Sequence, residues 1–183
     1  MAMLCFPCLA LPRGAGWVGY VVLMAVELPI RPDPLTAAQR FAIVASRYNE
    51  VYVDGMIHGL IEELTVIAPG SEISLLRVPG AFEIPLAVQA VARTGAVDAV
   101  FAFGVIWEGK TKHADLIAGS VTDALMRIGL ECEVPVLNEV LVVQNADQAA
   151  ERCLPEGLLN RGKEAGRAAV RMLRMLDELR EGI

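Results

Sequence analysis

"VDAVFAFGVI", residues 97–106, is an almost unbroken apolar run, and a short polar loop separates it from the helix-length segment "KHADLIAGSVTDALMRIGLEC" (112–132). A continuous apolar run of strand length, rather than an alternating one, marks a strand covered on both faces. The same pair of signals recurs on either side. "RFAIVAS" (40–46) is a short β-branched strand, and "NEVYVDGMIHGLIEELTV" (49–66) carries a helical stripe at Val53, Met56, Ile57, Leu60 and Leu64. "SEISLLRV" (71–78) is the next strand. "AFEIPLAVQAVART" (81–94) is a helix with Pro85 in its early turns, where proline is tolerated, and Gly95 ends it. Further on, "VPVLNEVLVV" (134–143) is a fourth strand and "NADQAAERCL" (145–154) a short helix opened by Asn145, a good N-cap. "NRGKEAGRAAVRMLRMLDELREG" (160–182) is a long amphipathic helix with apolar Val170, Leu173 and Leu176. Strands joined by helix-length crossovers predict an α/β fold, a parallel sheet covered on both faces by helices.

The chain has 183 residues, which favours one domain with a substantial core. Its 55% hydrophobic and 21% charged content excludes disorder. A formal net charge of −6 gives no support to a nucleic-acid partner, which needs a basic face. Residues 1–37 read as an amino-terminal arm ahead of a domain spanning 38–183. Its stretch "GAGWVGYVVLMAVELPI" (14–30) is apolar but too short, as an uncharged run, for a membrane span. Pro32 and Pro34 then read as a linker. A flexible arm, or a translation start at Met24, is favoured over a signal peptide, which lacks a clear cleavage site. Cys5 and Cys8 have C-x-x-C spacing with no second pair, so no metal site is expected. Cys132 and Cys153 lie in apolar helical contexts and read as core thiols; a reducing, cytoplasmic location fits all four.

In open parallel sheets, ligands bind beyond the carboxyl ends of the strands. That rule selects Arg47-Tyr48-Asn49, Pro79 to Glu83, "GVIWEGKTKHADLIAG" (104–119), and the strand residues Asn138 to Val143. Gly109-Lys110-Thr111 leads into a helix start, where exposed amides and the helix dipole suit an anion such as phosphate. His113, in the first turn of that helix, is either a base beside this anion site or an ordinary helix-start residue. Asp115, two residues on, does not share its helix face. Glu83 is either a first-turn cap or an acceptor for a polyol ligand. Tyr48 either stacks on a planar heterocycle or packs in the core. His58, inside the first helix, reads as solvent-exposed or structural.

Taken together, "SRYN" (46–49), "VPGAFEIP" (78–85), "GVIWEGKTKHADLIA" (104–118), "EVPVLNEVLVVQNADQAAER" (133–152) and "NRGKEA" (160–165) resemble the lumazine synthase family. The resemblance spans roughly residues 38 to 180, and "VPGAFEIP" together with G-x-T-x-H-x-D carries most of its specificity. It implies a flavodoxin-like three-layer αβα sandwich with a four-stranded parallel sheet. It implies condensation of 5-amino-6-(D-ribitylamino)uracil with 3,4-dihydroxy-2-butanone 4-phosphate, with no metal or organic cofactor. It further implies a homopentamer or a cage of pentamers, with sites between adjacent subunits, and riboflavin synthase as a candidate partner; nucleic acid and membrane are not expected. By matching position, Tyr48 would stack on the pyrimidine and Ala81, Phe82 and Glu83 would line the ribityl chain. Val105, Ile106 and Trp107 would hold the pyrimidine edge, largely through backbone groups. Lys110, Thr111 and Arg152 would bind phosphate, and His113 would be the general acid/base. Departures from the family pattern are Glu108 for an arginine, Asn138-Glu139 for Phe-Gly, Arg161 for a lysine, and a longer "CLPEGLL" loop. Asn138, at the position of a ring-contacting aromatic, hydrogen-bonds but cannot stack. These departures admit a second reading, a non-catalytic relative that binds flavin or lumazine or builds cages.

Overall fold

The structure, a computed structural model, describes residues 28–182. The readings placed on Cys5, Cys8 and Met24 therefore lie outside the described residues. Four strands, β1 (Arg40–Ser46), β2 (Glu72–Val78), β3 (Ala99–Trp107) and β4 (Val136–Val143), alternate with five helices. These are α1 (Glu50–Ile67), α2 (Ile84–Ala92), α3 (His113–Cys132), α4 (Ala146–Cys153) and α5 (Arg161–Glu181). All strand pairs are parallel and their order is β2-β1-β3-β4. The chain starts in the middle of the sheet, moves outward to β2, and returns across β1 to build β3 and β4. The strand order therefore reverses between β1 and β3, and a crevice opens there beyond the strand ends.

Strand alternation divides the core between two faces. Phe41, Ile43, Phe101, Phe103, Val105 and Val143 pack against α1, α4 and α5. Ala42, Val44, Val100 and Ala102 pack against α2 and α3. This is the expected three-layer αβα sandwich around four parallel strands. The predicted single helix over 81–94 differs: a 3-10 turn at Ala81–Glu83 precedes α2, which ends at Ala92. The cause is local. The Glu83 carboxylate accepts from the Gly80 amide at 2.9 Å, which tightens the first turn, and Pro85 starts the α-helix proper. Cys153 is a buried core thiol as expected, whereas Cys132, at the last turn of α3, is only half-buried.

Helices α1 and α5 meet through glycine. A Cβ added at Gly162 would lie 1.8 Å from the Met56 carbonyl oxygen, and one at Gly59 would lie 2.2 Å from Asn160 Oδ1. Asn160 is buried and caps α5: its Oδ1 accepts from the Lys163 amide at 3.2 Å. Its Nδ2 faces the carbonyls of Gly55 and Cys153 at 3.2 and 2.9 Å, so one side chain joins α1, α4 and α5.

Residues 28–39 run along α1 and α5. Arg167, Arg171 and Arg174 donate to backbone carbonyls of Pro29, Ile30, Asp33 and Pro34. The Leu35 amide donates to the Ile67 carbonyl at 2.8 Å. Glu63, buried in α1, accepts from Arg31 at 2.7 Å and Arg167 at 2.8 Å. Among the described residues, no helix is long and apolar enough to cross a membrane.

Candidate functional site

The site is built from three chain turns at the β1–β3 crevice. Beyond Ser46, β1 leans on β2: the Arg47 amide donates to Val78 O at 2.9 Å, and that of Tyr48 to Pro79 O at 3.3 Å. This leaves Tyr48 70% exposed at the crevice mouth, so the core-packing reading of Tyr48 does not hold. Gly80 passes directly beneath the ring: a Cβ there would lie 3.0 Å from Tyr48 Cδ2 and 3.1 Å from Glu83 Oε2. Glycine lets the backbone approach that closely. Glu83 caps its turn, accepting from the Gly80 amide, and also lines the cleft.

Tyr48, Asn49, Gly80, Ala81, Phe82, Glu83, Val105, Ile106, Trp107 and Ile117 enclose a cleft of roughly 430 Å³. A second hollow of roughly 410 Å³ adjoins it and is lined by Phe82, His113, Leu116, Ile117 and Ser120. Phe82 and Ile117 border both, so His113 stands one wall from the cleft and faces an exposed space. Lys110 and Thr111 lie exposed in the loop between β3 and α3, whose first residue is anchored by the Glu108 amide on Val143 O at 2.9 Å. His58 is exposed and sits 3.1 Å from Glu62, as its structural reading had it.

Two expected site residues are placed elsewhere in the chain. Asn138 lies in mid-strand, level with Ala102, and donates to Thr122 Oγ1 at 3.2 Å. It borders a different, mostly apolar cleft of roughly 450 Å³ between α3, β4 and α5, with Met126, Leu130 and Met172. Arg152 stands on α4, in the layer opposite α2 and α3, and its buried Nε has no hydrogen-bond partner. A single chain thus gathers Tyr48, Ala81, Phe82, Glu83, Val105, Ile106 and Trp107 around the cleft, with His113 beside it, and leaves Asn138 and Arg152 apart.

Two residues have partners that the sequence reading did not assign. Asn49 adopts the left-handed conformation (φ 60°) between β1 and α1, which asparagine tolerates better than most residues. Its Nδ2 donates to Val105 O at 2.6 Å, and its Oδ1 accepts from Trp107 Nε1 at 2.8 Å. The only available signal was an asparagine at a strand-to-helix junction. Glu139 is buried on the α5 side of β4 and pairs with Arg161 at 3.0 Å; Arg161 also meets Glu164 at 2.5 Å. Burial pushes the Glu139 carboxyl up to about 7, and the Arg161 guanidinium only partly opposes this. No group of three or more His, Cys, Asp or Glu side chains among the described residues is arranged to hold a metal ion.

Comparison with known proteins adds a second line of evidence. The family described as 6,7-dimethyl-8-ribityllumazine synthase matches residues 38–177. A protein of that name from Burkholderia vietnamiensis is 38% identical over 144 residues, covering 76% of this chain and 82% of its own. One from Burkholderia cenocepacia is 38% identical over 144 residues, covering 76% of this chain and 81% of its own. The chain belongs to the 6,7-dimethyl-8-ribityllumazine synthase family.

Proposed function

We propose that this protein condenses 5-amino-6-(D-ribitylamino)uracil with 3,4-dihydroxy-2-butanone 4-phosphate, releasing 6,7-dimethyl-8-ribityllumazine, phosphate and water in riboflavin biosynthesis. The observation that carries the reading is the convergence of the Tyr48, Gly80–Glu83 and Val105–Trp107 turns on one cleft beside His113, in a chain of this family. In this reading Tyr48 stacks on the pyrimidine, and Ala81, Phe82 and Glu83 meet the ribityl chain. The backbone of Val105, Ile106 and Trp107 faces the pyrimidine edge. Lys110 and Thr111 hold the phosphate at the start of α3. His113 moves protons during imine formation, phosphate elimination and ring closure. Holding the two reactants side by side supplies much of the remaining rate.

Asn138 and Arg152 enter the site from a neighbouring copy in this reading. The support is their distance from the cleft within one chain, together with the unpartnered Arg152 Nε. A homopentamer, alone or as the unit of a cage, is the assembly proposed, acting in the cytoplasm; riboflavin synthase is the candidate protein partner.

The test follows lumazine absorbance after purified protein is mixed with both substrates. A rate clearly above the spontaneous reaction is expected. His113→Ala should lower kcat about tenfold or more while some acceleration from positioning remains. Wild-type protein that binds lumazine without accelerating its formation would support the non-catalytic reading instead.

A further inference from the structure

The last ladder pair between β1 and β3 joins Ala45 and Phe103, and β3 continues past it to Trp107 with only β4 beside it. On its β1 side, the end of β3 is therefore an open backbone edge forming one wall of the cleft. The Val105 carbonyl on that side has lost its strand partner, and the Asn49 amide replaces it. The orientation of this amide is determined. Indole N–H is a donor only, so the oxygen of Asn49 must face Trp107 and the nitrogen must face Val105. The Trp107 ring is itself held edge-on to Tyr52 of α1, with centroids 5.7 Å apart and an interplanar angle of 80°. Asn49 also directly follows Tyr48, whose ring forms the opposite wall.

We propose that Asn49 and Trp107 form a clamp that sets the position of the Val105–Trp107 backbone relative to Tyr48, making Asn49 a positioning residue for the heterocyclic substrate. The inference rests on the proposed function and names how that site fixes its pyrimidine half. The amide ties the end of β3 to the turn that carries Tyr48, so the spacing between the stacking ring and the backbone edge is held from both sides. The phosphate half, at Lys110 and Thr111, lies beyond the clamp and should not feel it.

The experiment compares Asn49→Gly, Trp107→Phe and the double variant. Glycine accepts the left-handed backbone at position 49, so the amide is removed without strain. Phenylalanine keeps an aromatic ring beside Tyr52 but removes the N–H. Each single variant should raise KM for the ribitylaminouracil about fivefold or more, the scale of one lost hydrogen bond. KM for the butanone phosphate should stay within about twofold. Because the two residues act through one clamp, the double variant should be little worse than Asn49→Gly alone.

A binding readout runs in parallel. The chain has two tryptophans, so Trp17→Phe leaves Trp107 as the sole indole. Its emission should change on titration with ribitylaminouracil, and Asn49→Gly should weaken that titration by the same factor. Equal rises in KM for both substrates, or fully additive losses in the double variant, would overturn the clamp while leaving the proposed function standing. Wild-type protein that neither turns over nor responds to ribitylaminouracil would overturn both.

Discussion

Glu139 shows how one residue depends on its surroundings. In sequence it is a polar break in an apolar strand; in the fold it is a buried carboxyl whose opposing charge is Arg161, 22 residues away. Burial raises its pKa from 4.5 to about 7, so the folded chain binds this proton more tightly than the unfolded chain does. The stability it contributes is fully present below the unfolded value and is lost as pH rises through about 7. Glu139→Gln should remove that dependence. Between pH 4.5 and 7.5 the wild type should lose on the order of 2 kcal/mol relative to the variant, read from urea unfolding at both pH values. Parallel pH profiles for the two proteins would contradict this. Tyr48 and Glu83 teach the same lesson at the site. Each had two readings in sequence; the structure removes core packing for Tyr48 and shows the cap for Glu83.

Among the elements, the α1–α5 pair is the most exacting. Its contact needs two backbones to touch, and Gly162 packs so close to Met56 that a methyl group has no room. Gly162→Ala should therefore force the helices apart and destabilise the protein by about 2 kcal/mol, despite alanine's better helix propensity. Thermal unfolding checks this: an unchanged or raised Tm would show that α5 shifts at no cost. The four strands and the longer helices were legible from their apolar runs and stripes, and the short α4 from its Asn145 cap. The 81–94 segment was misjudged because a side-chain hydrogen bond tightens its first turn, and periodicity carries no record of such a bond.

For the whole molecule, the amino-terminal segment is the feature least visible in sequence. Pro32 and Pro34 suggest a linker, yet residues 28–39 are tied to two helices by arginines of α5 and by the Glu63 cluster. Burial opposes the Glu63 charge, but hydrogen bonds from Arg31 and Arg167 together outweigh it and hold its carboxyl below the usual range. Arg167→Ala removes one of these partners and the contact to Pro29. Arg31 still holds Glu63, so the loss is that of one charge-assisted hydrogen bond, about 2 kcal/mol. The Tm should fall, and amide exchange at Leu35, bonded to Ile67, should accelerate more than exchange in β1. Unaltered exchange at Leu35 would show that the segment is held by other means.

By itself the sequence determined the alternation of strand and helix, the parallel sheet, and the family, because hydrophobic period and short motifs are local properties of the chain. It also named the residues of three turns that meet at one cleft. Tertiary structure alone decided that the strand order reverses between β1 and β3, which helices cover which face, and that Asn138 and Arg152 stand away from the cleft. It alone gave Asn49 its partners Val105 and Trp107, 56 and 58 residues away. The physical reason is that an unpaired backbone carbonyl or a buried charge finds its partner through packing, and the identity of that partner is written in no single stretch of the chain.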